Sequence, residues 1–146
     1  MSWKTLEVGN PELAAFGATR LHGKVAYLAT LRKDGSPRLH PMTPIIGEGH
    51  FFVFMEPTSP KGHDLRRDGR YTIHCSVTDI SEASGEFAVS GQARPIDDPA
   101  LRAVATRLCP YTPSDRYVLF EFDPERAAST VYDGGRPIRR EWKSSD

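Results

Sequence analysis

The sequence has no excess of charge of either sign, no long apolar run and few cysteines. Lysine and arginine together number 19, as do aspartate and glutamate, so the formal net charge at pH 7 is zero. A neutral chain has no overall field that would attract nucleic acid or an acidic membrane surface. The longest apolar candidate, Phe51 to Met55, is far shorter than the roughly 20 residues of a membrane-spanning helix. We therefore expect neither nucleic acid nor a membrane as a partner.

Cysteine and histidine also lack the spacing of a metal site or a disulfide framework. Cys75 and Cys109 lie far apart, each within an apolar segment, and we expect both to be reduced and buried. A disulfide or a redox pair is the alternative. The five histidines are scattered, and no Cys–His spacing typical of zinc occurs. The first ten residues are polar and contain no apolar signal core, so we expect a cytoplasmic protein without a structural metal.

Turn signals and apolar periodicity predict one mainly β (α+β) domain over residues 1–146, with a core of about residues 11–132 and a tail over 133–146. Strands are predicted at 25–31, 36–46, 50–55, 71–77, 85–96 and 117–122, with 127–132 as an extension. The first strand is predicted to be buried on both faces. Turns at Asp34–Gly35 and Gly47–Gly49 predict two hairpins, which would join the first three strands in a meander. Helices are predicted after Asn10, over 60–68 and after Asp98. Six antiparallel strands with an aromatic interior are typical of a small closed barrel.

The segment Glu56 to Arg70 contains a lysine where a helix usually favours acidic residues. Thr58 or Ser59 can cap a helix that begins at Pro60. Lys61 would then lie in the first turn, where an exposed cation opposes the helix dipole by about 0.3–1 kcal/mol. An anion bound to the free amide groups would reverse that effect, with Lys61 and the capping hydroxyl as ligands. A solvated lysine, tolerated at small cost, is the alternative.

The predicted strand over residues 36–46 contains three prolines. Each proline removes a backbone donor, so this strand must lie at a sheet edge or face something other than a neighbouring strand. Alternation divides its middle into two faces, with Arg38, His40 and Met42 on one and Leu39, Pro41 and Thr43 on the other. Such a strand can present backbone and side chains to a flat ligand, or its polar face can simply be solvated.

Together these features resemble the pyridoxamine 5′-phosphate oxidase-like superfamily of FMN-binding split barrels, over roughly Pro11 to Phe122. The order and spacing of several short pieces carry the resemblance. The pieces are Val25 to Thr30, the Asp34–Gly35 turn, Pro37 to Met42, and the run Ser59-x-Lys61-x-x-x-Leu65-Arg66-x-Asp68-x-Arg70. The resemblance implies a six-stranded antiparallel split β-barrel with two or three short helices.

The resemblance also implies a homodimer with a phosphate-bearing cofactor in each cleft between the subunits. It implies FMN as the cofactor, with a deazaflavin coenzyme as the alternative and haem as a further one. In such proteins the phosphate lies near the residues that match Ser59 and Lys61, and the ring system lies along the strand that matches residues 38–43. The cofactor-binding residues expected in this chain are Arg38, His40, Pro41, Met42, Thr43, Thr58, Ser59, Lys61 and Trp142.

The C-terminal segment departs from oxidases that act on pyridoxamine phosphate itself, which end in a Pro-terminated tail containing Arg and Leu. This chain instead ends in Arg136-Pro137-Ile138-Arg139-Arg140-Glu141-Trp142 and four polar residues. That ending is more similar to the actinobacterial flavin- and deazaflavin-dependent branch. Its arginines and Trp142 can clamp a polyanion or stack on a ring, or form a solvated tail.

The expected function is a flavin- or deazaflavin-dependent oxidoreductase that transfers hydride or electrons to or from a small organic substrate. The cofactor would supply the redox chemistry, so no side chain is assigned as catalytic. The alternatives are a carrier of flavin, haem or tetrapyrrole without turnover, and a dimer that has lost its cofactor. A hydrolase is not favoured, because no Gly-x-Ser-x-Gly motif occurs. His74 and Cys75 are adjacent in a predicted strand and point to opposite faces, so they cannot form a nucleophile–base pair.

Overall fold

The computed structural model describes residues 2–78 and 85–145, which form four helices and eight strands. The helices are α1 (Lys4–Gly9), α2 (Pro11–Leu21), α3 (Pro60–Arg67) and α4 (Pro99–Leu108). The strands are β1 (Ala26–Leu31), β2 (Pro37–Met42), β3 (Ile45–Gly47), β4 (His50–Met55), β5 (Arg70–Cys75), β6 (Glu86–Ile96), β7 (Val118–Asp133) and β8 (Arg136–Lys143). The mainly β class is confirmed, whereas the expected strand and helix counts are too low. Among the described residues, no helix is both long and apolar enough to cross a membrane.

All the strands belong to one antiparallel sheet. Its pairing order is β2-β1-β5-β6-β7-β4-β3, and β8 pairs with another part of β7. The strands at the two ends, β2 and β3, do not pair with each other among the described residues. The prediction of a closed barrel is therefore wrong, because the strand pairing leaves the sheet open along a seam between β2 and β3.

The prolines explain that seam. The segment predicted as one strand breaks between Met42 and Ile45, where Pro44 intervenes. Residues 37–42 pair only with β1, and residues 45–47 pair only with β4. The predicted edge position of the proline-rich strand is confirmed, because β2 has one neighbour. The predicted three-strand meander is wrong, because its middle strand is divided between the two ends of the sheet.

Two terminal segments belong to the core domain, although the sequence placed them outside it. β8 pairs with β7 from Arg136 to Lys143, so the expected C-terminal tail contains a strand. At the other end Trp3, which is 2% exposed, packs edge-on against Phe51 with ring centroids 5.3 Å apart. The packed core therefore begins near residue 3 rather than near residue 11.

A buried carboxylate anchors the N-terminal segment to the sheet. Glu121 is 2% exposed and accepts a hydrogen bond from Ser2 Oγ at 2.8 Å. The same hydroxyl accepts the Phe51 backbone N–H at 2.7 Å. His50 Nδ1 and Arg94 each lie 2.8 Å from a Glu121 carboxylate oxygen. Burial alone would raise the pKa of Glu121, but these partners outweigh it and hold the pKa below its ordinary value.

The inner face of the sheet encloses an aromatic core. Phe51 stacks on Phe122 at a centroid distance of 5.3 Å, and Tyr71 meets Phe122 edge-on at 4.8 Å. Each such pair contributes about 0.5–1.5 kcal/mol beyond its burial. A second, smaller cluster of buried residues packs beneath α4 and includes Phe52, Phe54 and Leu119. The predicted core side of α4 is confirmed, because Leu101, Val104 and Leu108 pack against this cluster.

Helix starts are where the sequence and the structure agree best. Asn10 Oδ1 accepts the Leu13 N–H at 3.1 Å, and α2 begins at Pro11 as predicted. Asp98 Oδ1 accepts the Ala100 N–H at 2.8 Å at the start of α4. The third helix, α3, has Ser59 at its N-cap position, but Ser59 makes no side-chain capping bond.

The outer face of β1 and β2 is apolar and exposed. Directly paired residues share a face, and the pairs Tyr27–Pro41, Ala29–Leu39 and Leu31–Pro37 define a surface that we call the β1–β2 outer face. Tyr27 is 41% exposed and Leu39 is 67% exposed. The expectation that β1 is buried on both faces is therefore wrong for the single chain.

Replacing Gly17 with alanine should destabilise the protein. Alanine favours a helix over glycine by about 1 kcal/mol, but a Cβ at Gly17 would lie 2.5 Å from Phe87 Cζ in the core. Overpacking of this kind costs about 1–3 kcal/mol, so we expect a net fall in the free energy of unfolding, measured by urea denaturation. Combining Gly17→Ala with Phe87→Leu should recover part of the loss. A Gly17→Ala variant as stable as the wild type would contradict this packing.

Candidate functional site

Strand β2 and the first turns of α3 form a polar group at the open edge of the sheet. Arg38 and His40 lie on the same face of β2 as the buried Met42, and they face α3. Ser59 and Lys61 lie at the start of α3, followed one turn later by Asp64. We call the group of Arg38, His40, Ser59, Lys61 and Asp64 the edge site.

Asp64 connects three elements at this site. Its carboxylate is 2% exposed and accepts hydrogen bonds from Thr30 Oγ1 of β1 and Arg38 Nε of β2, each at 2.7 Å. It also accepts one from Arg67 of α3 at 3.0 Å. Burial alone would raise the pKa of Asp64, but these three donors outweigh it and lower the pKa below the ordinary value of 3.8. The ionised carboxylate therefore fixes the position of β2 against α3.

Arg38 retains donors that Asp64 does not use. Only its Nε is bound to the carboxylate, and its two terminal nitrogens make no hydrogen bond to another described residue. The side chain is 24% exposed, so these nitrogens lie at the surface of the site. A guanidinium held in this way can still donate two parallel hydrogen bonds to an oxyanion.

Lys61 is half-buried and has no carboxylate partner among the described residues. Its ammonium group donates to Ser59 Oγ at 3.1 Å, and burial lowers the pKa of Lys61 below its ordinary value. Ser59 is itself only 7% exposed. A half-buried cation that is bonded only to a hydroxyl carries part of the cost of desolvation, which an anion would offset.

His40 adds a titratable donor to the same group. Burial first, and then the positive charges of Lys61 and Arg38, lower the pKa of His40 below its ordinary value of 6.5. The imidazole is therefore largely neutral at pH 7 and can take up a proton when an anion binds nearby. With the uncapped start of α3, this set of groups matches the chemistry of a phosphate site.

The structure places the other predicted binding residues around the edge site in different environments. Pro41 lies on the β1–β2 outer face, on the opposite side of β2 from Arg38. Met42 is 9% exposed and belongs to the main core. Thr43 follows the end of β2 and is partly exposed, and Thr58 is exposed just before α3.

Trp142 lies away from the edge site within one chain. It is on β8, and the pairing order puts four strands between β8 and β2. It pairs with Ala127 on the core-facing side, where a Cβ on Gly9 would lie 2.1 Å from its Nε1. In the single chain Trp142 therefore packs α1 against the sheet.

Asp64 is the residue of this site that the sequence did not single out. It is the only acidic residue in a helix that contains three basic side chains, Lys61, Arg66 and Arg67. A single acidic residue among several basic ones could have indicated a buried counter-ion. Its partners Arg38 and Thr30 lie 26 and 34 residues away, and no local pattern connects them.

The fold is an antiparallel split barrel with a cluster of cationic and polar side chains at its open edge. A family model described as pyridoxamine 5′-phosphate oxidase matches residues 13–131. This match covers most of the chain, which therefore belongs to the pyridoxamine 5′-phosphate oxidase family. No curated protein sequence matches the chain.

Solved structures with this fold include proteins of different kinds. A haem-binding protein from Mycobacterium smegmatis has a TM-score of 0.72 and 20% identity, covering 91% of this chain and 57% of that chain. A NimC/NimA family protein from Clostridium acetobutylicum has a TM-score of 0.66 and 15% identity, covering 95% of each chain. The haem storage protein from Vibrio cholerae has a TM-score of 0.58 and 18% identity, covering 80% of this chain and 90% of that one. At these identities the similarity shows the fold alone, and the present chain spans only 57% of the mycobacterial protein.

The Asp64→Asn variant should be less stable than the wild type by about 1–3 kcal/mol, because it leaves two arginines without their buried counter-ion. The folded-state pKa of Asp64 is lowered, so this difference should be fully present above the unfolded pKa of about 4. It should disappear as the pH falls through the lower folded pKa. Urea denaturation of both proteins at a series of pH values measures it.

Asp68→Asn provides the matched control. Asp68 pairs with Arg70 just beyond α3, but their side chains are 31% and 65% exposed. Water and salt screen a pair this exposed, so its removal should cost much less stability than the removal of Asp64. Equal losses in the two variants would show that Asp64 has no special role in holding β2 against α3.

Proposed function

We propose that the protein is a flavin- or deazaflavin-dependent oxidoreductase that binds the phosphate of its cofactor at the edge site. The observation that carries the proposal is the half-buried Lys61, which is bonded only to Ser59 and lies at the uncapped start of α3. Arg38 and His40 face the same space from β2. Membership of the pyridoxamine 5′-phosphate oxidase family supports the same assignment.

The balance of charge at the edge site favours a dianion. Asp64 is the only carboxylate in the site, and Arg38 and Arg67 already share it. Lys61 therefore keeps an uncompensated charge, and His40 gains one when it is protonated. Ser59 Oγ and the first amides of α3 can donate to the remaining phosphate oxygens. In this arrangement the residues bind and orient the phosphate, and none of them has to move a proton in the reaction.

FMN is the cofactor that we favour, and a deazaflavin coenzyme is the alternative. The bound cofactor would supply hydride or electron-pair transfer to or from a small organic substrate. Its ring system would lie along β2, between Arg38 and Thr43, where the open edge leaves backbone groups free to contact it. We place the protein in the cytoplasm, consistent with its two free thiols, Cys75 and Cys109.

A carrier of haem, flavin or tetrapyrrole without turnover is the second candidate. Two proteins with the same fold are a haem-binding and a haem storage protein. The two functions need the same cleft, so turnover has to be measured. Adding reduced nicotinamide or reduced deazaflavin to the cofactor-loaded protein should give acceptor-dependent oxidation for an enzyme and none for a carrier.

We also propose that the protein is a homodimer in which a second copy covers the β1–β2 outer face. Natural edge strands are usually protected, and this edge instead exposes Leu39 and two prolines. An exposed apolar surface of this kind is typical of an interface. Covering it would bury Tyr27 and Leu39 and would bring a second chain close to β2.

Replacing Lys61 with alanine should weaken FMN binding by about 1.5–3 kcal/mol, the contribution of a hydrogen bond to a charged group. Titration of the apoprotein with FMN, followed by flavin fluorescence, measures this loss. Lys33→Ala is the control, since Lys33 is an exposed lysine in the turn between β1 and β2. Unchanged affinity in Lys61→Ala would remove the phosphate assignment, and equal losses in both variants would indicate a general effect of charge.

Replacing Leu39 with glutamate should convert the proposed dimer into a monomer. The new carboxylate would be desolvated at the centre of the proposed interface, which is strongly unfavourable. Light scattering at micromolar concentration should give a halved mass. Val8→Glu is the control, because Val8 is 74% exposed on α1 and should leave the mass unchanged. A monomeric wild-type protein would contradict the proposal.

A further inference from the structure

A second group of cations lies on the outer face of the sheet, beyond the edge site. Strands β5 to β8 line a cavity of about 430 Å³ that opens to solvent, and we call it the outer pocket. Its volume falls within the range of small-molecule sites, roughly 300–1,000 Å³. Its charged residues are Arg126, Arg139, Glu141 and Lys143.

Arg126 and Lys143 form an unfavourable cross-strand pair. They are direct partners in the β7–β8 register, so both side chains leave the same face of the sheet at adjacent positions. Like charges placed directly opposite each other destabilise a strand pair. Neither side chain makes a hydrogen bond or an ion pair with another described residue. An anion between them would convert this repulsion into attraction.

The pocket's own carboxylate does not neutralise this pair. Glu141 accepts a hydrogen bond from Arg139 Nε at 2.6 Å, so its charge is already matched. Arg139 is held further by a 3.2 Å bond to Thr130 Oγ1. Three cations and one carboxylate leave the pocket with a formal charge of plus two, on a chain whose net charge is zero.

The floor of the pocket has the shape and the donors for a small ligand. Ala88 and Ala128 are direct partners across β6 and β7, and their short side chains leave space above the sheet. Ser90 and Thr72 are partners across β5 and β6. Neither of their hydroxyl groups makes a hydrogen bond to another described residue. The pocket therefore offers two free hydroxyls beside two free cations.

We propose that the outer pocket binds the acidic group of a small organic anion, a carboxylate or a phosphate. Arg126 and Lys143 hold the charged oxygens, and the Ser90 and Thr72 hydroxyls donate to the same group. Within one chain the pocket is separate from the edge site, because β1, β5 and β6 lie between β2 and β7 in the pairing order. It is a binding site in its own right and does not depend on which cofactor occupies the edge site.

Amide chemical shifts test the proposal with pyrophosphate and citrate as probes. Each probe is titrated into ¹⁵N-labelled full-length protein, and the amide signals of Ala88, Ser90 and Ala128 are followed. We expect saturable shifts of these signals with at least one of the two probes. The tighter probe identifies the acidic group as phosphate or carboxylate. No shift with either probe would overturn the proposal.

The double variant with Arg126→Gln and Lys143→Gln should bind the tighter probe at least about tenfold more weakly. A loss of this size is expected when a charge-assisted hydrogen bond is removed. Arg136→Gln is the matched control, since Arg136 is an exposed arginine of β8 outside the pocket. An equal loss of affinity in this control would show that the effect depends only on the overall charge of the protein, and it would contradict the proposed site. Circular dichroism confirms that both variants are folded.

Lys61→Gln separates this site from the edge site. The shifts at Ser90 and Ala128 should persist in that variant, whether or not cofactor binding is lost. If the shifts are lost in Lys61→Gln, the probes bind at the edge site, and the outer pocket is not a binding site. Failure of the cofactor proposal, by contrast, would leave these shifts unchanged.

Discussion

The prolines of residues 37–44 constrain the whole sheet. Pro37 and Pro41 lie four residues apart in β2, so the donors that they lack point in the same direction along the strand. A strand with this defect can pair on one side only, which fixes β2 as an edge. Pro44 then separates β2 from β3 and prevents the seam from closing by strand pairing. The open edge therefore results from the backbone donors that these prolines lack, and the edge site lies along this edge.

One buried carboxylate, that of Asp64, fixes the position of the edge strand β2. Strand β2 is paired on one side only, and Asp64 holds it further by accepting hydrogen bonds from Arg38 of β2 and Thr30 of β1 at 2.7 Å each. Burial disfavours the ionised carboxylate, and its three donors together outweigh that cost and hold the pKa of Asp64 below its ordinary value. Arg38 is held through Nε, which leaves the other end of the guanidinium facing the site. The nitrogen that positions Arg38 is thus different from the two nitrogens that would bind the proposed anion.

The sequence predicted local features well and long-range ones poorly. The caps at Asn10 and Asp98, the strand over residues 50–55 and the edge position of β2 each depend on neighbouring residues, and all are confirmed. The polar groups of the edge site were found because Lys61 and the prolines misfit their own elements. Asp64 was missed because its partners are distant in the chain, and β8 was missed because its exposed, charged residues resemble a tail.

The two faces of β2 couple the proposed dimer to the edge site. Leu39 and Pro41 point outward, while Arg38 and His40 point towards α3. A second copy that covers the outward face also removes solvent from the free edge of the same strand. Interactions between charges strengthen as water is excluded, so Lys61 and Arg38 would hold an anion more tightly in the dimer than in the monomer. Dimerisation and cofactor binding then stabilise each other, because each lowers the cost that the other has to overcome.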